Sequence, residues 1–203
     1  MSTKTSSSAK GRPKGDKRDR TRSRLLDAAL ELTREQGFEA TTLQDIAARA
    51  GMTTGAIYGN FRNRDALFMA LAERQWSALA PDFRPGSSFA EKMEATAAAL
   101  IAVLPERRDS AVGALTFRAY ALRHEHVRQD FRDRMAEGYD AGAAWFRSVA
   151  DQGDLPMDAD ILVRVINAMI EGLTFQRFLT PELVPDEVIY AAFAALAGGT
   201  RRT

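Results

Sequence analysis

Apolar residues recur every three or four positions along most of the chain, and this helical period restricts the fold more than any other feature. Between residues 25 and 32 the apolar positions follow the spacing i, i+3, i+4 and i+7, which places them on one face of a helix. The same spacing returns between residues 43 and 50. No stretch keeps the two-residue alternation of a half-buried strand, and the sequence has no internal repeat. It therefore predicts an all-α protein.

Capping residues, glycines and prolines divide this pattern into helices. The first part of the chain predicts four: one from near Arg20 to Gly37, one from Thr42 (with Asp45 as its capping-box partner) to Gly51, a very short one capped by Thr53, and one capped by Asn63 that runs to about Leu79. Five longer helices are predicted at roughly 88–104, 108–123, 125–151, 158–179 and 185–197, with Pro105 as one of the stops.

Charge is unevenly distributed although the net charge is only +1. Residues 1–24 hold nine Lys or Arg against two Asp, whereas residues 76–203 hold 14 basic and 18 acidic groups. A basic end on a mildly acidic body indicates binding to an anionic polymer such as nucleic acid; a solvated tail that aids solubility is the alternative. We expect residues 1–17 to be a disordered arm. Within it, Gly11-Arg12-Pro13 resembles the core of AT-hook peptides, which suggests Arg12 as a minor-groove contact.

The stretch "GMTTGAIYGNF", residues 51–61, carries no charge although 27% of the chain is charged. Its neighbours predict that it is the turn and third helix of a helix-turn-helix unit, whose third helix enters the DNA major groove. Small residues keep such a face thin, and polar side chains contact bases or phosphates. We predict these roles for Thr53, Thr54, Gly55, Ala56, Tyr58, Gly59 and Asn60, with phosphate attraction supplied by Arg49, Arg62, Arg64 and the arm. A plain Gly-rich connector is the alternative.

The segment "TTLQDIAARAGMTTGAIYGNFRNRDALFMAL" resembles the DNA-binding signature of TetR-type bacterial transcriptional regulators. The matching positions are Thr42, Ile46, Ala47, Ala50, Gly51, Gly55, Tyr58, Phe61 and Leu67. The resemblance covers about residues 22–72 and adds Thr42 to the predicted DNA contacts. Thr54, Gly59 and Asn60 depart from the residues that many members carry there, so the base preference is not transferred.

The resemblance implies a C-terminal domain that encloses an effector pocket and pairs two subunits through its last two long helices. Candidate effector-binding residues are Phe117, Tyr120, Trp145, Glu171 and Phe175, with Arg118 or Arg123 as further polar anchors, although periodicity does not separate a pocket wall from a packed core. Ala168 and Gly172 lie one turn apart, which permits close helix approach. The predicted dimerisation residues are Ile161, Val165, Ala168, Gly172 and Phe193.

Several site classes find no support in the sequence. There is no cysteine, and His124 and His126 are alternate residues that point in different directions on a helix. No phosphate-binding loop, dinucleotide fingerprint or nucleophile motif is present, so we expect no catalytic residue, metal or cofactor. No signal peptide or membrane span is recognisable, which predicts a cytoplasmic protein.

These observations predict an all-α protein with a basic arm at 1–17, a three-helix helix-turn-helix domain at 18–66, a connecting helix at 63–79 and a helical effector-binding and dimerisation domain at 80–203. The predicted function is a homodimeric DNA-binding transcriptional regulator, a repressor released by an apolar or amphipathic small molecule. A nucleoid-type DNA-binding protein without an effector is the runner-up, and a helical enzyme is the remaining rival.

Overall fold

The computed structural model describes residues 14–75, 79, 81–149 and 155–198. All regular secondary structure in these ranges is helical, which confirms the all-α prediction. The helices are α1 (Lys14–Gln36), α2 (Leu43–Arg49), α3 (Thr54–Tyr58), α4 (Arg64–Gln75), α5 (Phe89–Arg108), α6 (Ala111–Arg123), α7 (Glu125–Val149), α8 (Ala159–Leu179) and α9 (Asp186–Ala197).

The chain forms two compact units, Met1–Leu71 and Ala72–Thr203, and the boundary between them falls within α4. The first unit has its own core, to which each helix contributes fully buried apolar side chains. Leu25 of α1, Ile46 of α2, Ile57 of α3 and Leu67 of α4 are each 0% exposed. The apolar period of the sequence therefore converges on one small core.

Side-chain caps fix the beginnings of the short helices. The Thr42 hydroxyl accepts from the Asp45 N–H at 3.1 Å, and the Asp45 carboxylate accepts from the Thr42 N–H, which completes the predicted capping box. Asn63 Oδ1 accepts from the Ala66 N–H at 2.8 Å at the start of α4. Thr53 occupies the N-cap position of α3 but makes no side-chain capping bond.

Three predicted boundaries were wrong. The first helix begins at Lys14, not near Arg20, so residues 14–17 are helical and do not belong to a disordered arm. The fourth helix ends at Gln75, and Leu79 is not helical. Pro105 lies inside α5, in its last turn, where a missing N–H removes only one helical hydrogen bond. Burial of Leu104 and Arg107 on either side keeps the chain helical.

The second unit is organised around the packing of α5 against α9 and of α7 against α6 and α8. Its core includes the buried side chains of Met93, Leu100, Leu162, Ile189 and Phe193. Burial also lowers the pKa of Arg107, whose side chain is 6% exposed at the end of α5. None of the helices in the described part of the chain is both long and apolar enough to cross a membrane.

Candidate nucleic-acid interface

Helices α2 and α3 are joined by a tight turn that the backbone closes with its own hydrogen bonds. The Met52 N–H donates to the Ala47 carbonyl at 2.8 Å and the Gly51 N–H to Ala48 at 3.0 Å. Gly51 has φ +63°, a left-handed conformation that glycine adopts without steric cost. Gly37 after α1 has φ +85° for the same reason. The two glycines therefore set the directions of the helices in this unit.

One face of α3 is held in the core and the other is open. Ile57 and Phe61 anchor the helix, with exposures of 0% and 4%. Tyr58 is 60% exposed, and Thr53, Gly55 and Gly59 are also exposed, while Thr54 and Ala56 are half-buried. All six residues were predicted DNA contacts. The structure brings them together on or beside the five-residue helix α3.

The fold itself does not require glycine at positions 55 and 59. Both have negative φ, and a Cβ at either position would meet its nearest atoms at 3.6–3.7 Å, an ordinary van der Waals distance. Alanine stabilises a helix by about 0.5–1 kcal/mol relative to glycine. Gly55 within α3 therefore costs stability, whereas Gly59 is the C-cap residue that follows the helix. Both glycines leave room on this exposed face for the close approach of another molecule.

We predict that Gly55→Ala and Gly59→Ala keep or raise the stability of the protein but weaken its binding to DNA. A methyl group on this face would prevent the close approach of DNA, and the loss of one base contact costs about 1–3 kcal/mol, or about 5- to 150-fold in affinity. Gly138→Ala is the matched control, because Gly138 is helical, exposed and has open space around its added Cβ. Thermal melts and fluorescence anisotropy with labelled DNA measure both properties. Full DNA affinity in both α3 variants would show that the thin face is not an interface.

Two predicted contacts already use their polar groups within the protein. The Thr42 hydroxyl donates to Asp45 at 2.6 Å, so it would have to leave the capping box to donate to a phosphate. The same bonds lower the pKa of the Asp45 carboxyl. Asn60 donates from Nδ2 to the Ala56 carbonyl at 2.8 Å, and its Oδ1 is buried. A bidentate contact of Asn60 with a base does not fit this conformation.

Arg64, which was predicted to contact phosphate, uses its guanidinium group inside the first unit. Arg64 Nε donates to the Thr41 carbonyl at 3.3 Å, and Nη2 donates to the Phe38 carbonyl. The guanidinium carbon lies 4.3 Å from the centre of the Phe38 ring and 4.6 Å from that of Phe68. Arg64 therefore ties the start of α4 to the loop between α1 and α2.

Arg49, another expected source of phosphate attraction, forms ion pairs with two carboxylates of α1. Its guanidinium nitrogens lie 2.6 Å from Glu35 and 3.3 Å from Glu31. The hydrogen bond from Arg49 lowers the pKa of the Glu35 carboxyl, and the same pairing raises the pKa of Arg49. Its charge is therefore largely compensated locally. Arg62 is exposed and remains a predicted phosphate contact, whereas Arg12 lies outside the described residues.

Sequence reasoning missed two arginines of α1 that hold the helix-turn-helix unit together. Arg24 donates to the Ala50 carbonyl at 2.8 Å, at the end of α2. Arg22 donates to the Asn60 carbonyl at 3.3 Å and stacks on the Phe61 ring at 4.4 Å. The sequence shows only a basic run at this place. Nothing in that run distinguishes an arginine that donates to a carbonyl of the protein from an arginine that contacts DNA.

The predicted effector-binding residues do not form a single cluster in the second unit. Trp145 is 36% exposed and stacks on Phe83 at 5.1 Å between ring centres. Arg118 pairs with Glu171 at 2.5 Å, and its guanidinium lies 5.8 Å from the Phe175 ring. Two further candidates lie on α6. These are Phe117, which is 3% exposed and belongs to the core, and Tyr120, whose ring lies 4.0 Å from that of His124.

Four of the five predicted dimerisation residues are exposed on α8. Ile161 is 55% and Val165 36% exposed, and Ala168 and Gly172 are also exposed. Phe193 was wrongly predicted to lie in the interface, because it is 0% exposed within the core of its own chain. The spacing of apolar residues in α9 identifies an apolar side of the helix. It does not show whether a partner subunit or the chain's own core covers that side.

The histidines do not form a metal site within the described part of the chain. The rings of His124 and His126 lie 6.2 Å apart, and no group of three His, Asp or Glu side chains in the described ranges is placed to hold a metal ion.

Comparison with known proteins agrees with this geometry. The model of "Bacterial regulatory proteins, tetR family" matches residues 25–71, and the model "BetI-type transcriptional repressor, C-terminal" matches residues 89–200. The transcriptional regulator SrpR of Pseudomonas putida is 26% identical over 78% of this chain and 75% of its own length. The regulator AcrR of Shigella flexneri is 28% identical over 80% of both chains. A TetR-family regulator from Rhodococcus sp. has a similar fold, with a TM-score of 0.70, 19% identity, and 90% of this chain and 100% of that chain covered.

Proposed function

Because the chain belongs to the tetR family of bacterial regulatory proteins, we propose that it is a DNA-binding transcriptional repressor that a small-molecule effector releases from its operator. The observation that carries this proposal is the exposed face of α3. It combines an exposed Tyr58 with two glycines that the fold does not need. Such a face suits the major groove, where hydroxyl groups and a thin helix approach the base edges.

Within this function the residues of α3 have different roles. Thr53 and Thr54 lie at the start of the helix, and we assign them contacts with bases, as the first turn of a recognition helix makes. To Tyr58 we assign a hydrogen bond from its hydroxyl to a phosphate, which would position the protein without reading sequence. Asn60 contributes its backbone to the first unit, where Arg22 binds its carbonyl.

A nucleoid-type protein without an effector is not favoured. Such a protein would need little more than a DNA-binding unit and a basic arm, whereas this chain devotes residues 89–200 to a domain that matches the C-terminal part of a repressor. The relatives are named as transcriptional regulators, which also disfavours an enzyme.

Operator selection followed by competition tests the proposed function. The purified protein is offered a random DNA library, and the selected sequence is then titrated against scrambled DNA at several salt concentrations. A specific repressor retains a preference of about 10³-fold or more for the selected site at physiological salt. Equal affinity for the two DNAs would instead establish sequence-tolerant binding.

We further propose that α4 carries the effector signal. Its first turns lie in the first unit, where Phe68 packs edge-to-face on Phe38 with ring centres 4.6 Å apart. Its last turn lies in the second unit, where Glu73 forms an ion pair with Arg134 of α7. A two-state element that both sites bias is what effector release requires. Through this ion pair, a movement of α7 would act directly on the last turn of α4.

We predict that Glu73→Arg and Arg134→Glu each lower operator affinity about two- to fivefold, while the double charge swap restores most of it. The magnitude follows from the exposure of both side chains, 43% and 47%, because exposed ion pairs contribute about 0–1 kcal/mol. Arg132→Glu is the control, since Arg132 is exposed on the same helix and pairs with its neighbour Asp133. Operator titrations measure all four variants. Single variants that bind like the Arg132→Glu control would remove this pair from the coupling route.

A further inference from the structure

The short helix α3 contains little that could fix its own orientation. It has five residues, and its N-cap residue Thr53 makes no side-chain capping bond. Helices of this length are not stable by themselves in water, and the stretch from residue 51 to residue 61 has no charged side chain that could form an ion pair. Ile57 and Phe61 bury one side of the helix, but apolar packing has no preferred direction. The orientation of α3 must therefore come from polar contacts with other parts of the first unit.

Two arginines of α1 supply such contacts at the two ends of the segment that contains α3. Arg24 donates to the Ala50 carbonyl at 2.8 Å, where α2 ends and the turn begins. Arg22 donates to the Asn60 carbonyl at 3.3 Å, just beyond the end of α3. The guanidinium carbon of Arg22 also lies 4.4 Å from the centre of the Phe61 ring. Both carbonyls come at the end of a helix, where backbone oxygens have no donor within the helix.

The two arginines reach this segment from different sides of α1. Residues two positions apart on a helix do not face each other, so Arg22 and Arg24 lie on either side of the apolar stripe that contains Leu25 and Leu32. Both leucines are buried in the core of the first unit. The core therefore holds α3 against α1, and the hydrogen bonds at the two ends of the segment give it a defined direction.

We propose that Arg22 and Arg24 are positioning residues for operator recognition, which set the direction of α3 without contacting DNA themselves. This inference rests on the proposed function, in which the first turn of α3 contacts bases. A helix of five residues is only about 7.5 Å long, so a shift at either end of the segment also moves Thr53 and Thr54. A hydrogen bond to a base tolerates a change of only about 0.5 Å between donor and acceptor. Loss of either arginine therefore weakens base contacts that neither arginine makes.

A direct contact with phosphate is the alternative role for an arginine beside a DNA-binding helix. A guanidinium group has five N–H donors, so a bond to a carbonyl does not by itself distinguish the two roles. A phosphate contact strengthens binding to every DNA sequence and makes it more dependent on salt. A positioning contact strengthens binding only to the operator. The two roles therefore differ in the affinity for operator DNA, the affinity for scrambled DNA and the salt dependence of both.

Arg22→Met and Arg24→Met in the full-length protein test the positioning role. Each variant should bind the operator that the unmodified protein selects about tenfold more weakly, as the loss of one base contact does, and should bind scrambled DNA within about twofold of the unmodified protein. The slope of log affinity against log salt concentration should stay the same, whereas loss of a phosphate contact would reduce its magnitude by about 0.9. Fluorescence anisotropy measures these quantities at a temperature where circular dichroism shows that the variants are folded.

Arg22→Lys separates the shape of the side chain from its charge. Lysine keeps the positive charge but lacks the planar group that lies over the Phe61 ring, so this variant should also lose operator affinity, by about threefold or more, with an unchanged salt slope. It makes the same comparison if a methionine variant does not fold. Arg34→Met is the control for the loss of one charge from α1, because Arg34 is exposed in the last turn of that helix. It should leave the preference for the operator unchanged.

The same titrations separate this inference from the proposed function. Equal weakening on operator and scrambled DNA, with a smaller salt slope, would make the two arginines phosphate contacts and overturn the inference. Folded variants that keep the full preference for the operator would also overturn it, because the arginines would then only stabilise the first unit. In both cases the proposed function stands, since the unmodified protein still prefers its operator. If the unmodified protein shows no such preference, the proposed function fails and the inference fails with it.

Discussion

Ala168→Arg and Gly172→Arg are expected to convert a dimer into monomers and to lower operator affinity about 100-fold or more. The two positions lie one turn apart on the exposed side of α8. Among the described residues, nothing beyond the chain neighbours and backbone of α8 itself lies within 4 Å of a Cβ added at Gly172. The chain alone therefore has room for a larger side chain there. A partner helix packed closely against Gly172 would not.

The exposed apolar surface around these positions supports a second copy of the chain as the partner. Ile161 and Val165 extend the stripe along α8, with 55% and 36% of their surfaces exposed. Further exposed apolar side chains lie in the following loop and on α9, at Leu183, Val188 and Tyr190. Apolar surface of this extent marks an interaction site, and the family implies a dimer.

The expected loss of DNA binding follows from the arithmetic of two linked sites. Two recognition helices about 34–36 Å apart would meet successive major grooves. Linking two such contacts raises affinity about 10²–10⁴-fold over one contact alone, and a monomer forgoes this gain. Sedimentation velocity and operator titration measure the two consequences on the same preparations.

Ala136→Arg is the control for the dimer prediction. Ala136 is exposed on α7 beside Arg132, Asp133 and Glu137, which are exposed as well. An arginine at this solvated surface should leave both the dimer and its operator affinity unchanged. If all three variants sediment as the unmodified dimer, the interface lies away from the exposed side of α8.

Local signals in the sequence predicted local structure correctly. The capping box of Thr42 and Asp45, the cap of Asn63 and the end of the first helix at Gly37 were recognised from residue type and spacing, because each depends on residues within one turn of each other. Pro105 was misjudged because its helix is held by burial on both sides, which a stop signal does not reveal.

Contacts between distant residues were not predictable in this way. Phe193 and Gly172 both lie on apolar helices of similar pattern, yet one fills its own core and the other is exposed. The aromatic residues of the second unit were recognised as a group, but Trp145 and Phe175 lie in different clusters. The period of apolar residues identifies the apolar side of a helix. Which residues contact that side depends on how the helices of the whole unit pack.

Arg62 and Arg64 show the same limit of sequence analysis in the DNA-binding unit, because the sequence predicts a phosphate contact for both. Arg62 is exposed, whereas Arg64 lies over the rings of Phe38 and Phe68 and donates to two carbonyls. We therefore predict that Arg64→Met lowers the free energy of unfolding of the first unit by about 2–4 kcal/mol. Hydrogen bonds from a charged donor contribute about 1.5–3 kcal/mol each, and cation–π contacts about 0.5–2 kcal/mol. The expected loss is smaller than their sum, because contacts made by one side chain are not additive.

Arg64→Lys should recover less than half of this loss, because an ammonium group has neither the planar fork nor the stacking surface of a guanidinium. Urea denaturation measures the loss in both variants. Arg62→Met should leave stability within about 0.5 kcal/mol of the unmodified protein, as surface substitutions usually do.

The salt dependence of DNA binding then distinguishes a structural arginine from a phosphate contact. Each phosphate neutralised by the protein contributes about −0.9 to the slope of log affinity against log salt concentration. Arg62→Met should reduce the magnitude of the slope by about that amount, whereas Arg64→Met, measured at a temperature where it is folded, should keep the slope unchanged. A stable Arg64→Met protein with a slope smaller in magnitude by nearly one unit would restore Arg64 as a phosphate contact. In that case the two phenyl rings would only position its guanidinium for DNA.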